Sequence, residues 1–164
     1  MGTLLNRRRY MGGGGVVDKI IITSISNAPL MAICYAQNWC ANADYMLKSE
    51  AEAVTDIGIV FRDNTTVSTF NEFKYFTGVT SLGQRAFQNA VLTEITLPST
   101  ITSLTLYTFR NCTQMQRFTV LATTPPSATS NTFTNMTGTV YVPASSVEAY
   151  RSAFVWKNLT IKSM

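Results

Sequence analysis

The chain has 164 residues, of which 46% are hydrophobic and 13% are charged. It can therefore bury the core of one compact domain with a small appendage, which excludes wholesale disorder. Its net charge is +4, and three of the thirteen basic residues stand together at positions 7–9. The rest of the chain is only weakly basic, so we expect no nucleic-acid-binding face.

Residues 1–15 combine a short apolar start, three arginines and four consecutive glycines. The glycines at 12–15 predict a hinge, because glycine is conformationally permissive. The arginines are either solvated, as most short charge runs are, or ordered in a groove on a partner protein. In the second case the anchoring residues are Leu4, Leu5, Arg7, Arg8, Arg9, Tyr10 and Met11.

The sequence predicts neither a secretory signal nor a membrane-spanning segment. The arginines at 7–9 lead into glycines rather than into an apolar h-region. Apolar runs also stay short of the roughly 18 residues that span a bilayer. We therefore expect a chain that folds in a cytoplasm of bacterial type, without a membrane partner.

Residues 16–56 predict a strand and two short helices. The β-branched run over 16–23 is typical of a strand. Asn27 is an expected N-cap, with Pro29 in the first turn of a helix that runs to Ala36. A second helix is predicted over 49–54. These helices precede repeats, and a repeat stack needs a cap over its first open apolar end.

Residues 57–164 repeat one theme at a period in the low twenties. Phe87 and Phe109 hold the same place in successive copies, and an Asn follows two places after each Phe. Alternating apolar and Thr residues predict a short strand in each copy, and the runs 79–82 and 101–104 predict a second short strand. A tight turn carries the Phe into the core. The recurring Asn predicts a turn whose backbone its side chain satisfies. This period predicts a solenoid of leucine-rich-repeat type, because a single coil buries its apolar residues only by stacking.

The last residues predict a second cap. After the strand at 140–142, Ser145 and Glu148 predict a capping box that opens a helix toward Phe154. Trp156, Leu159 and Ile161 would complete the cover of the last coil. The fold class is therefore α+β or β-rich solenoid, a short repeat stack between an N-terminal helical cap and a C-terminal helix cap. Its regions are 1–15, a tail with a glycine linker; 16–56, a strand with a helical cap; and 57–164, the repeat module.

The side chains that usually carry catalysis or bind metals are sparse. Histidine is absent, and the three cysteines at 34, 40 and 112 fit neither a zinc site nor a disulfide framework. A hydrolytic triad would lack its base, and the glycines at 12–15 lack the Lys-Ser/Thr of a phosphate loop. The carboxylates are scattered, which leaves a glycosidase pair as the open enzyme alternative. We expect a protein that is not an enzyme, with no catalytic residue, metal or cofactor.

The repeats resemble a known family. The strings VTSLGQRAFQNAVLTEITLP and ITSLTLYTFRNCTQMQRFTV, followed by VYVPASSVEAYRSAFVWKNLTIKSM, resemble BspA-type leucine-rich repeats. Coils of that family read roughly ITSIGxxAFxxCxxLxxIxIP, and the last coil commonly ends YVPxxxxxxYKxxxxW. The resemblance covers 57–164 and departs at Ala90, where Cys is usual, at Thr105-Leu106, and in a short third copy. Relatives on bacterial surfaces are associated with adhesion.

The front of the chain has a resemblance of its own. LLNRRRYMGGGG and MAICYAQNWCANADYMLKSEAEAVTDIG are similar to segments of virion proteins from crAss-like phages of gut Bacteroidales. That likeness implies a virion component, such as a head or tail fibre or a decoration protein, anchored to other virion proteins by residues 1–15. The alternative is a bacterial surface adhesion or glycan-binding module, which would normally be exported.

The outward threonines are the candidate ligand-facing residues of the repeats. They would line one hydroxyl-rich sheet face suited to hydrogen-bonding a host surface glycan, a protein or a second copy of the chain. An ordinary solvated face is the alternative for each single Thr. The residues are Thr80, Thr96, Thr102, Thr119 and Thr139.

Overall fold

The computed structural model describes residues 18–164. Before the repeats come β1 (Ile20–Thr23), α1 (Ala28–Ala36), β2 (Tyr45–Leu47) and α2 (Lys48–Ala53). The predicted N-cap is confirmed, since Asn27 accepts a hydrogen bond from the Leu30 amide at 3.4 Å. The strand β2 was not predicted. It is very short and pairs antiparallel with β1, so tertiary pairing rather than a local pattern defines it.

The repeats build a five-stranded parallel sheet in the order β3, β5, β7, β8, β9. These strands are β3 (Thr69–Phe70), β5 (Glu94–Leu97), β7 (Arg117–Val120), β8 (Thr139–Val142) and β9 (Thr160–Ser163). Ile95, Phe118 and Val140 share one register row and are fully buried. The alternation of apolar and polar residues therefore places one face of the sheet on the core, as predicted.

A second, smaller sheet is formed by two successive repeats. It pairs β4 (Ser81–Leu82) with β6 (Ser103–Leu104) in parallel, and Ser103 makes a further bridge to Ser127. The predicted strands over 79–82 and 101–104 are thus shortened to their last two residues. The repeats that hold β4 and β6 thus contribute a strand to each of two sheets and have two distinct outward sides.

Four short turns, which we name the phenylalanine turns, each precede a strand of the large sheet. They span 58–63, 84–89, 106–111 and 130–135. Each holds one ring of a stack formed by Phe61, Phe87, Phe109 and Phe133, with successive ring centroids 5.3, 5.1 and 6.1 Å apart. The turn that carries the Phe into the core is therefore confirmed.

The recurring Asn residues differ from the prediction. Asn89, Asn111 and Asn135 end their turns at φ of 59°, 60° and 58°, a left-handed region that Asn tolerates. Each side-chain amide donates to the side chain one turn earlier, at 2.6 Å to Asp63 Oδ1, 2.9 Å to Asn89 Oδ1 and 2.9 Å to Asn111 Oδ1. The side chains bond one another rather than the turn backbone, because stacking brings identical turns into register.

The end of the chain corrects a second expectation. Helix α3 (Val147–Ser152) follows a 3₁₀ turn and has Ser146 at its N-cap, without a side-chain hydrogen bond. The predicted capping box of Ser145 and Glu148 is therefore wrong. The 3₁₀ turn moves the helix start by one residue, so Glu148 stands too early and instead accepts from Arg151 at 2.8 Å. Phe154 lies beyond the helix and is 68% exposed.

Helices lie at both ends of one continuous core. At the first turn, the Trp39 ring lies 6.2 Å from Phe61. At the last turn, the Trp156 ring lies 4.9 Å from Phe133, and its Nε1 donates to Pro126 O at 2.7 Å. Beyond Trp156, β9 adds a strand that the sequence analysis missed, because Ile161 alone of its residues is apolar and buried.

Candidate interaction surface

The outward side of the five-stranded sheet, named here the sheet face, is a regular array of polar side chains. Their positions alternate with the buried ones, since neighbouring residues of a strand point to opposite sides. The members are Glu94, Thr96, Arg117, Thr119, Thr139, Tyr141, Thr160 and Lys162. At its centre the guanidinium of Arg117 lies 3.9 Å from the ring centroid of Tyr141. This pair joins an aromatic surface to a positive charge.

The candidate threonines do not share one face. Thr96, Thr119 and Thr139 belong to the sheet face, whereas Thr80 and Thr102 directly precede the strands of the small sheet. Thr119 is only 6% exposed, because it lies between the side chains of its register neighbours. The expectation of a single outward threonine face is therefore wrong. The alternation of residues indicates whether a side chain points into the core or outward, but not on which side of the coil an outward side chain lies.

Two of these hydroxyls already donate within the chain. Thr96 Oγ1 donates to Asn71 Oδ1 at 3.0 Å, and Thr102 Oγ1 donates to Thr80 O at 3.1 Å. Asn71 in turn donates to Glu94 Oε2 at 2.8 Å. A hydroxyl whose proton is engaged can still accept a hydrogen bond. Thr96 and Thr102 are thus suited to ligand groups that donate.

Thr102 also lines a cavity of about 240 Å³ beside the small sheet. The other lining residues are Ser99, Ile101, Ala122, Thr123, Thr124, Pro125 and Pro126. The cavity lies where the repeat spacing changes, since Phe133 follows Phe109 at a longer interval than Phe109 follows Phe87. Pro125 and Pro126 interrupt the repeat spacing and were the sequence signal for this cavity. Of the lining residues, the sequence predicted only Thr102 as a candidate.

The cysteines are all buried free thiols in the described part of the chain. Burial raises the pKa of Cys34 and of Cys112 to about 12, and burial also raises the pKa of Cys40. Cys112 Sγ donates to Phe87 O at 3.1 Å. A thiol that is buried and protonated is a poor nucleophile, so these side chains serve packing.

The described carboxylates around α2 have structural partners. Glu50 accepts from the backbone amides of Ala41 at 2.9 Å and Leu47 at 2.7 Å, and Glu52 pairs with Lys48. Within residues 18–164, no group of three or more Cys, Asp or Glu side chains is placed to hold a metal ion. Among the helices of that same range, none is long and apolar enough to cross a membrane.

Sequence reasoning missed Arg117 and Tyr141. Their signal was present in the alternation of β7 and β8, but the sequence does not give the register that brings the guanidinium onto the ring. The anchoring residues expected in the tail, Leu4, Leu5, Arg7, Arg8, Arg9, Tyr10 and Met11, lie outside the described residues.

Comparison with known families agrees with the repeated turns. The family model described as BspA type leucine rich repeat region matches residues 55–161 in six copies. No curated protein matches the chain significantly. Repeats of this kind imply a solenoid-like fold, and a module built from them suggests protein–protein interaction or adhesion. With more than half of its length matched, the chain belongs to the BspA-type leucine-rich repeat family.

Proposed function

We propose that the chain is a non-enzymatic interaction module that binds a protein partner through the sheet face. The observation that carries this proposal is the stacked pair of Arg117 and Tyr141 at the centre of a regular polar surface. Tyr and Arg are the side chains most enriched at interface hot spots, together with Trp. Arg117 is exposed and Tyr141 half-buried, so a partner can reach both.

Residues 1–15 place this module by docking into a neighbouring protein of a virion. The chain is then a head or tail fibre or decoration component, assembled in the bacterial cytoplasm. Support comes from the sequence of the tail, in which apolar and arginine residues precede a four-glycine hinge at 12–15. The segments at the two ends act as caps, and the contacts of Trp39 after α1 and of Trp156 after α3 support that role.

Two variants separate anchoring from recognition. A chain lacking residues 1–15 is expected to melt at the temperature of the full chain but to be missing from purified particles. The control, full-length Arg117→Ala with Tyr141→Ala, is expected to enter particles and to lose partner binding. Incorporation of the shortened chain, or recovery of the full chain only from a cell envelope, contradicts the virion proposal.

A bacterial adhesion or glycan-binding module is the second candidate, favoured by the cavity beside Thr102. On a glycan array, full-length chain is expected to bind, and Thr102→Val is expected to abolish binding by removing a lining hydroxyl. Thr119→Val is the matched control, because its hydroxyl is covered and lies on the other sheet. A blank array, or equal loss in both variants, counts against this candidate.

A further inference from the structure

Two phenylalanine turns bring three large side chains together on a third side of the coil. The backbone amide of Phe87 donates to Thr108 O at 2.9 Å, and that of Asn89 donates to Arg110 O at 2.9 Å. These bonds hold the turns 84–89 and 106–111 in register. Side chains at equal or neighbouring places in the two turns are therefore adjacent. We name the resulting group the arginine patch; it consists of Arg85, Tyr107 and Arg110.

The ring of Tyr107 organises both guanidiniums. The Cζ atom of Arg110 lies 4.7 Å from the ring centroid, and that of Arg85 lies 5.9 Å from it. Both distances are in the range of cation–π attraction, which restricts where the guanidiniums point. Arg85 and Tyr107 also have φ of 65° and 62°, values that are unusual for side chains of this size. Backbone strain of this kind clusters at functional sites.

The guanidiniums of the arginine patch lack an anionic partner among residues 18–164. The ion pairs of that range involve other residues, and the buried Nε atoms of Arg85 and Arg110 have no hydrogen-bond acceptor. Asp63, one turn away, is already held by Arg62 at 3.1 Å and by Asn89 at 2.6 Å. Two guanidiniums thus lie on one tyrosine ring, each with an Nε donor that has no acceptor.

Few carboxylates lie near the arginine patch along the chain. Between 79 and 142 the sequence contains three arginines and a single acidic residue, Glu94. Glu94 belongs to the sheet face and accepts from Asn71. The positive charge of the arginine patch is therefore not neutralised by its own repeats, and its field attracts anions.

We propose that the arginine patch binds the acidic groups of a glycan, carboxylate or sulfate. Guanidinium presents planar, paired donors that match the oxygens of such groups. In the same turn as Arg85, the buried side-chain oxygen of Gln88 has no hydrogen-bond partner, and an amide oxygen accepts from the hydroxyl groups of a sugar. The arginine patch shares no residue with the sheet face or with the cavity beside Thr102, so it adds a binding site to those proposed above.

Titration of the full-length chain with soluble polymers tests this assignment. The probes are dextran sulfate, polygalacturonate, neutral dextran and a polyglutamate peptide. Their binding is measured by titration calorimetry at low ionic strength. Binding of either acidic polysaccharide is expected, with neutral dextran inert, and the preferred one identifies the acidic group. The double variant R85Q/R110Q is expected to weaken binding by at least about tenfold, because it removes two charge-assisted contacts. K19Q/K157Q is the matched control, since it removes two exposed charges elsewhere.

Each outcome bears on the proposal. A loss confined to R85Q/R110Q, with unchanged thermal unfolding, supports it. An equal loss in K19Q/K157Q overturns it, because net charge alone would then explain binding. Binding of polyglutamate without binding of either polysaccharide overturns the glycan assignment in favour of an acidic protein partner. Absence of binding to all four probes also overturns it. Failure of the chain to enter virions would contradict the function proposed above but not binding at the arginine patch.

Discussion

Truncating Phe109 to alanine tests whether the phenylalanine stack holds the repeats together. The side chain is fully buried, 5.1 Å from the ring of Phe87 and 4.8 Å from that of Phe118. Removing a buried Phe costs about 3–5 kcal/mol, more where the site cannot collapse. The backbone amide of Phe109 donates a hydrogen bond to Thr132 O, and that of Phe87 donates to Thr108 O, each at 2.9 Å. These hydrogen bonds keep the adjacent turns in place. We therefore expect a loss of about 4–5 kcal/mol in the free energy of unfolding.

Urea unfolding, followed by tryptophan fluorescence and circular dichroism together, measures this loss. Natural domains have only about 5–15 kcal/mol of stability, so Phe109→Leu is measured as well and is expected to lose less than Phe109→Ala, because leucine leaves a smaller cavity. Phe154→Ala is the control: its ring is 68% exposed, and such surface changes stay within about 0.5 kcal/mol. A loss below about 2 kcal/mol in Phe109→Ala, or an equal loss in Phe154→Ala, would refute the reasoning.

Three further changes test the turns, the thiols and the close contacts. Asn111→Ala is expected to lose about 1–3 kcal/mol in urea unfolding, since it removes two side-chain bonds of 2.9 Å, and recovery by Asn111→Gly would show that only its φ of 60° matters. The Cys112 thiol is expected to resist a disulfide reagent until urea unfolds the chain, and prompt labelling of the native chain contradicts this. The free energy of unfolding is expected to fall above pH 9, because the pKa of this thiol is about 9.0 in the unfolded chain and about 12 in the folded one. Gly138→Ala is expected to destabilise the chain by more than about 1 kcal/mol, because its Cβ would lie 2.5 Å from Met115 O and its φ is +88°. Gly83→Ala is the control and is expected to be neutral or stabilising, because its Cβ would have no atom within 4 Å.

The parts of the fold that the sequence predicts are those with a local cause. Asn27 caps α1 because its side chain reaches the amide of Leu30, a contact within one turn. The spacing of Phe87 and Phe109 predicts stacking because both rings need the same interior. In contrast, β2 and β9 depend on partners whose pairing no local pattern specifies, and helix α3 separates β9 from its partner β8 along the chain. These strands were missed for that reason.

The candidate sites were predicted less well than the core, for a related reason. Periodicity distinguishes inward from outward residues, but a coil has several outward sides. Thr80 and Thr96 are both outward in the pattern, yet Thr96 lies in the large sheet and Thr80 precedes a strand of the small one. The pair of Arg117 and Tyr141 and the arginine patch each join side chains from neighbouring repeats or neighbouring positions in the turns. Only the register between repeats reveals such groups.

That register also explains how the chain tolerates an irregular repeat. Phe133 follows Phe109 at a longer interval than Phe109 follows Phe87, yet Phe118 and Val140 are no further apart than Ile95 and Phe118 and are direct partners in the sheet. The segment before the turn at 130–135, which lines the cavity with two prolines, is longer than in the preceding repeat. The segment between that turn and β8 is correspondingly shorter. Because a surface segment can change length without shifting the strands on either side, each outward side can change independently of the core. A repeat stack of this kind can thus carry a cavity, a stacked Arg–Tyr pair and an arginine patch on separate sides of one scaffold.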